Sequence, residues 1–176
     1  MRNKLLPLLV SALFSLSAFA LPEDRNQPIH ISADSATIDE KSGHTTYLGD
    51  VKITQGTLLI EADRVEIERG KSGVDQVTAF GKQAHFRQKP EASKPYTDAW
   101  GDNIVYEVEK GLLTLKKNAR VVSGQDTFTG SRIVYNLKTS VVDAFSEGKN
   151  GGNGRVEMII QPKQSTAPAE TTKEAQ

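Results

Sequence analysis

Apolar and polar residues alternate with a period of two along much of the chain between positions 28 and 160. The alternation is clearest over 51–54, 65–68, 104–109 and 133–138. Successive side chains of a strand point to opposite faces, so each segment predicts a strand with one apolar and one polar face. No stretch of helical length shows an apolar period of 3.6 residues. The residues near position 21 are compatible with a short helical turn.

Turn-forming residues separate these apolar runs. Clusters of Gly, Asn, Asp and Ser occur at 41–43, 49–50, 55–56, 70–73, 111, 123–125 and 150–154. Such residues adopt tight turns at little conformational cost. We count about sixteen candidate strands and expect an all-β, antiparallel protein.

The chain also repeats itself. Sliding segment 33–67 forward by 68 positions places apolar residues on apolar residues without a gap; Ile53 falls on Val121, for example. A shorter spacing of 29 relates the dipeptides at 33–34 and 62–63, and those at 101–102 and 130–131. The repeat predicts stacked strand-turn-strand modules of about thirty residues, with a shared inner face and free strand edges at both ends.

The two termini differ in composition from the repeats. Residues 1–20 combine Arg2 and Lys4 with an apolar run and end in Ala18-Phe19-Ala20. This layout is typical of a cleaved secretory signal and favours it over a retained anchor, because the apolar run is short for a bilayer span and contains Pro7. We therefore expect a mature β-domain over 21–160 and, because 161–176 is polar and contains proline, a disordered tail.

Composition narrows the classes of function. There is no cysteine, so an exported chain of this kind has no disulfides and no thiol chemistry. The chain has 22 basic and 22 acidic residues, and loss of the signal leaves 20 against 22. This balance argues against a nucleic-acid partner, which usually selects a basic excess. Any affinity for a ligand is expected to rest on apolar contact.

Residues able to perform catalysis are present but not in recognisable arrangements. The three histidines, at 30, 44 and 85, have no metal-binding spacing, and no nucleophile elbow occurs. The run at 70–72 resembles the end of a phosphate-binding loop but lacks its first glycine. Glu61, Asp63, Glu66 and Glu68 are close together, yet alternation places the last two on the polar face. We predict no enzyme, no metal and no cofactor.

The apolar stripe admits two interpretations. It is either the packed core of a repetitive scaffold or the lining of a trough for lipid, in which each buried CH₂ contributes about 0.8 kcal/mol. Its members are Ile29, Ile31, Ile38, Tyr47, Ile53, Ile60, Val65, Ile67, Phe86, Tyr106, Val108, Leu115, Val121, Phe128, Ile133 and Tyr135.

Several segments together resemble the OstA-like family of periplasmic lipopolysaccharide-transport bridge proteins. These are Gln27-Pro28-Ile29-His30-Ile31, the run from Gly49 to Thr57, Ala62-Asp63, and the run from Gly81 to Phe86. The resemblance covers the mature chain up to about position 160. In the second half the repeat departs from this pattern, since Lys117-Asn118 replaces Gly49-Asp50 and Gly130-Ser131 replaces Ala62-Asp63.

The resemblance implies an elongated β-jellyroll of sixteen antiparallel strands in two sheets, V-shaped, whose apolar interior shields the lipid A acyl chains of lipopolysaccharide. It adds Thr45 to an inward set that otherwise agrees with the alternation. It also implies head-to-tail assembly by edge-strand pairing, and partners of the same family anchored in the inner membrane and assembled in the outer membrane. The cleavage-like site at 18–20 favours the soluble bridge over the anchored partner.

The expected function is therefore that of a periplasmic carrier, which binds lipopolysaccharide and relays it from the inner membrane to the outer-membrane complex. Two alternatives from other classes stay open. One is a structural or adhesive β-repeat protein without lipid cargo, and the other is a secreted carbohydrate-active enzyme.

Overall fold

A computed structural model describes residues 23–71, 73–146 and 155–162 of the chain. The predicted signal at 1–20, the glycine cluster at 151–154 and the predicted tail beyond 162 lie outside the described residues. No helix within the described ranges has the length and apolar character needed to cross a bilayer.

Ten antiparallel strands and one short 3-10 helix occur in the described residues. The helix spans Glu23–Asn26. The strands are β1 (His30–Ser32), β2 (Ser35–Asp39), β3 (His44–Gln55), β4 (Leu58–Gly70), β5 (Gly73–Gln88), β6 (Thr97–Glu107), β7 (Leu112–Ser123), β8 (Asp126–Asn136), β9 (Val141–Phe145) and β10 (Glu157–Ile159). Strands β3 to β8 follow one another across a single sheet; β1 and β2 both pair with β3, and β9 and β10 both pair with β8. The all-β antiparallel class is confirmed.

Five register shifts, which are β-bulges or related irregularities, run in a line across the sheet from β3 to β8 near the middles of the long strands, and we call this line the crease. Register shifts fall after Leu48 on β3, Glu61 on β4, Phe80 on β5, Trp100 on β6 and Lys116 on β7. A bulge bends a strand and strengthens its twist without ending it. The expected sixteen strands in two sheets are therefore not confirmed in the part of the chain that the structure describes, because each long strand continues through the crease.

The crease divides the sheet into an A half and a B half. The A half contains 30–32, 51–55, 58–62, 84–88, 97–101, 119–123, 126–130 and 157–159, and the B half contains 35–39, 44–48, 64–70, 73–80, 103–107, 112–116, 132–136 and 141–145. Strands β1 and β2 form the first edge of the sheet, and strands β9 and β10 form the second edge.

Aspartates of the 29-residue repeat lie at the crease. Asp63 Oδ2 accepts a hydrogen bond from the Lys82 backbone N–H at 3.3 Å, and Asp102 accepts bonds from Asn118 Nδ2 at 3.1 and 3.2 Å. Asp34 occupies the corresponding position between β1 and β2. The repeated aspartate thus has a structural role, because it supplies an acceptor to polar groups at the neighbouring bulge.

The inner faces of the two halves pack against each other. Phe86 and Val121 of the A half and Val65 and Leu115 of the B half are all fully buried. A single sheet layer leaves each face in water, so full burial in both halves requires a covering layer. The two halves supply that layer for each other, and the ring contact between Phe86 and Tyr106 joins them directly.

An apolar interior between the halves of the sheet

Three ladders of cross-strand neighbours line the inner faces. Residues that pair across antiparallel strands project from the same face, so each ladder forms a continuous stripe. The A ladder is Ile31, Ile53, Ile60, Phe86, Ala99, Val121, Phe128 and Met158. The outer B ladder is Ile38, Thr45, Ile67, Val77, Tyr106, Leu113, Tyr135 and Val142, and the inner B ladder is Ala36, Tyr47, Val65, Ala79, Ile104, Leu115, Ile133 and Ala144.

Fifteen of the seventeen residues expected on the inner face lie on these ladders. The other two, Ile29 and Val108, lie directly outside β1 and β6, and both line a cavity between the halves. Thr45, which the resemblance alone added, is 1% exposed and packs within the outer B ladder. The structure therefore brings the predicted set together on one surface.

The ladders also contain residues outside the predicted set. Val77, Ile104 and Leu113 are buried. Ile104 and Leu113 lie two positions from Tyr106 and Leu115 of the predicted set, so the period-two pattern is sufficient to find these two. The alanines at 79 and 99 are buried as well, but alanine carries little apolar signal.

Most members of the three ladders are buried. A cavity of about 50 Å³ lies between the halves near the first edge, and it is lined by apolar residues of both halves, including Ile53, Leu58, Ile67 and Val108. Pockets that hold small molecules are usually several times larger, about 300–1,000 Å³. An acyl chain can therefore occupy the interior only if the two halves move apart or an end opens.

The ladders are exposed where they reach the edges of the sheet. Ile38 on β2 is 57% exposed and Met158 on β10 is 51% exposed, whereas the members between β3 and β8 are mostly buried. Sheet edges with free N–H and C=O groups commonly recruit another strand. Within the described residues, each edge thus presents the end of an apolar stripe beside backbone that pairs with no further strand.

The outer face of the A half is polar and charged. His85 stacks on Trp100 at 4.9 Å, and its Nε2 lies 2.8 Å from Asp98 Oδ1. Lys52 Nζ lies 3.2 Å from Glu61 Oε1, and this ammonium group is the main reason that the pKa of Glu61 lies below its ordinary value. His85 lowers the pKa further, whereas partial burial of the carboxylate raises it. Side chains of this kind suit water or polar partners rather than acyl chains.

Two grooves on this outer side of the crease have volumes of about 570 and 580 Å³ and share Gln83. Their linings include charged residues such as Lys52, Arg120 and Glu157. Glu66 and Glu68 lie on the outer face of the B half, where the alternation predicts them. Within the described ranges, no group of three or more histidine or carboxylate side chains is placed to hold a metal ion.

The chain has clear relatives among known proteins. It is 40% identical over 162 residues to lipopolysaccharide export system protein LptH of Pseudomonas aeruginosa, covering 88% of this chain and 91% of the relative. It is 36% identical over 165 residues to LptA of Haemophilus influenzae, covering 92% and 93%, and 34% identical over 153 residues to LptA of Escherichia coli K12, covering 85% and 80%.

The crystal structure of LptH from Pseudomonas aeruginosa, described as the periplasmic LptA homologue of the conserved lipopolysaccharide transport device, has the same fold. It superposes with a TM-score of 0.72 at 38% sequence identity and covers 80% of this chain and 100% of that chain. The family model described as LptA/(LptD N-terminal domain) LPS transport protein matches residues 30–141. This chain belongs to the LptA/LptD N-terminal domain family of lipopolysaccharide transport proteins.

Proposed function

We propose that this chain is a periplasmic carrier that holds the acyl chains of lipopolysaccharide between the two halves of its sheet. The observation that carries the proposal is the continuity of the three ladders, which run from the first edge to the second edge. Strands in a sheet lie about 4.8 Å apart, so eight strand segments span roughly 34 Å. A stripe of this length serves as a path for an acyl chain as well as a site for one.

Apolar burial supplies enough free energy for such a cargo. Each CH₂ moved from water into an apolar environment contributes about 0.8 kcal/mol, so ten CH₂ groups contribute roughly 8 kcal/mol before the cost of opening the interior. The sugars and phosphates of lipopolysaccharide stay outside, in water. The side through which they project is the mouth of the interior, opposite the crease.

We define the mouth by the turns that border it. These are 56–57, 89–96 and 124–125 of the A half, and 40–43, 108–111 and 137–140 of the B half. Parting of the halves at the mouth leaves the hydrogen bonds of the sheet intact, because the two halves remain joined through the crease. Opening therefore exposes apolar side chains but breaks few backbone bonds.

The two edges support relay from copy to copy. Strands β1 and β2 at the first edge and β9 and β10 at the second edge can each accept a strand of another copy or of a partner with the same fold. Such a head-to-tail contact joins the ladders of successive copies into a longer stripe and does not close into a ring. In this proposal, the chain bridges a partner anchored in the inner membrane and an outer-membrane assembly partner.

Binding of purified lipopolysaccharide to charge variants tests the carrier function. Ile31→Asp places a carboxylate on the A ladder at the first edge, and Ser32→Asp places one on the opposite face of the same strand. We expect Ile31→Asp to weaken binding at least tenfold and Ser32→Asp to leave it within about twofold, because only the first places a charge beside the acyl chains. Tyr106→Asp, in the interior, and Glu66→Lys, on the outer face of the B half, make a second pair.

The rival interpretation is a structural or adhesive scaffold whose interior is only a packed core, and the small volume of the cavity favours it. Equal lipopolysaccharide binding by Ile31→Asp and Ser32→Asp, both with wild-type circular dichroism, would support that rival. Absence of binding by the wild-type chain would do the same.

A further inference from the structure

A buried polar cluster closes the mouth near the first edge. Asp24 is 6% exposed, although it is a carboxylate, and both of its oxygens accept hydrogen bonds. Oδ1 accepts a bond from the Thr57 N–H at 2.7 Å, while Oδ2 accepts bonds from Thr57 Oγ1 at 2.6 Å and from Gln88 Nε2 at 3.2 Å. We call these three residues the latch cluster.

The latch cluster fixes the N-terminal turn over the end of the apolar interior. Asp24 belongs to the Glu23–Asn26 helix, whereas Thr57 and Gln88 lie at the mouth end of the A half. Asp24 and Gln88 line the same cavity as Val108 and other residues of the B half. A bond from Gln55 Nε2 to the Gln27 carbonyl, at 3.0 Å, attaches the segment a second time.

Polar contacts make this attachment reversible. If apolar side chains of the same size covered the interior, their exposure to water would cost the free energy of apolar burial. Hydrogen bonds that break when the latch cluster opens are instead replaced by hydrogen bonds to water. A buried carboxylate with three donors is stable when closed, yet it is well solvated once exposed. The chemistry of the cluster therefore suits a closure that opens.

Thr57 links the turn to a second closing element. Its Oγ1 accepts a bond from the Lys89 N–H at 3.1 Å, at the start of the loop over 89–96. That loop reaches across the mouth, where Lys94 Nζ lies 3.4 Å from Ser140 Oγ of the B half. The Thr57 side chain thus bonds to both the N-terminal turn and this loop.

We propose that the latch cluster gates the apolar interior, and that an acyl chain gains access at the first edge by displacing residues 23–29. This inference rests on the proposed carrier function and extends it, because it names the place of access and the residue that controls it. Asp24 acts as a positioning residue, since it holds the covering turn rather than the cargo.

Asp24→Ala, made in the mature chain, tests the latch with two probes. The first probe is the apolar dye anilinonaphthalene sulfonate, and the second is purified lipopolysaccharide; stopped-flow fluorescence gives the rate of uptake for each. We expect Asp24→Ala to speed uptake of both at least about tenfold, because hydrogen bonds to a charged group are lost. Glu68→Ala, at an exposed position on the outer face, is the matched control and should keep the wild-type rate.

Amide hydrogen exchange separates opening of the latch from loss of the fold. Exchange at Gln27, Thr57 and Lys89 should rise in Asp24→Ala, while exchange at Leu115 in the core stays slow. If Asp24→Ala does not fold, Thr57→Val removes the hydroxyl donor and keeps the backbone N–H, and it should show the same acceleration.

The outcomes distinguish the two proposals. Wild-type rates of uptake in every folded latch variant would overturn the latch, even if lipopolysaccharide binds. Faster dye uptake in those variants, combined with no lipopolysaccharide binding by any chain, would support the latch and overturn the carrier function.

Discussion

The rings of Phe86 and Tyr106 lie 5.2 Å apart at an angle of 62°, although the two residues are distant along the sheet. Phe86 on β5 is paired with Ala99 on β6, and Tyr106 lies seven residues further along β6. In a flat sheet these seven residues would separate the rings by about 23 Å. Their contact therefore requires that the sheet folds back on itself at the crease and brings the A ladder against the B ladders.

Phe86→Ala is expected to lower the free energy of unfolding by about 3–5 kcal/mol, because it removes the largest fully buried side chain of the interior. Phe145→Ala, at a position that is 46% exposed, should cost less than about 1 kcal/mol. Urea denaturation followed by circular dichroism measures both. Similar losses for the two variants would mean that the halves do not share a core.

The backbone conformation at the crease favours glycine at position 49, where φ is +80°. A Cβ added there would lie 2.0 Å from Asp34 Oδ2, so Gly49→Ala combines backbone strain with a clash. We expect a loss of stability of at least about 1–2 kcal/mol in the same urea experiment.

Gly101→Ala is the control for this substitution. Gly101 also lies at the crease, but a Cβ there would meet its nearest neighbour at an ordinary 3.4 Å, and we expect a change below about 1 kcal/mol. If Gly49→Ala is as stable as Gly101→Ala, the bulge does not require glycine at position 49.

Glu61 should titrate below its ordinary pKa of 4.5 because Lys52, and then His85, favour its charged form. Since the folded-state pKa lies below the unfolded value, this carboxylate contributes to stability above the unfolded pKa, and the contribution is lost as pH falls through the folded pKa. Lys52→Met should raise the pKa of Glu61 toward the ordinary value. NMR titration of the side-chain carboxyl measures this shift, and Lys116→Met, on the B half, should leave it unchanged.

Proline in β2 tests head-to-tail assembly. In an edge strand, successive N–H groups point alternately to the neighbouring strand and to the open edge. Of Thr37→Pro and Ile38→Pro, one therefore removes an N–H that points to β3, and the other removes an N–H that points to the open edge. We expect the wild-type chain to form oligomers that lengthen with concentration, and one of these variants to stay folded and monomeric at the same concentrations, as measured by sedimentation velocity. Valine at the same positions keeps each N–H and should preserve assembly. Oligomers of equal length in all four variants would argue against pairing through the first edge.

Alternation predicts the faces of the sheet well because the pleat alone decides which side chains share a face. The number of strands that it predicts is not confirmed in the described residues, and the crease shows a physical reason. On β4 the inward positions change from even to odd, from Ile60 and the partly buried Ala62 to Val65 and Ile67. Beside turn-forming residues, such a change of phase resembles the end of one strand and the start of another, whereas a bulge produces it within one strand.

The closure of the interior lies beyond what alternation can predict. The pattern identifies the inner face but carries no information on how far the two halves stand apart. Asp24 gives no local signal either, because its partners are 33 and 64 residues away in sequence. The exposure of Ile38 follows from its place on an edge strand, which the sequence pattern does not distinguish from a central one.

Photo-crosslinking in living cells tests most directly whether the inner face carries lipopolysaccharide. A photoreactive phenylalanine analogue at Ile38 and at Met158 probes the exposed ends of two inner ladders, with little disturbance of the core. The same analogue at Thr37 and at Ile159 probes the adjacent outward positions, and Ile159 is as apolar and as exposed as Met158. We predict lipopolysaccharide adducts from Ile38 and Met158 and none from Thr37 and Ile159; adducts from both faces alike, or from neither, would contradict the account.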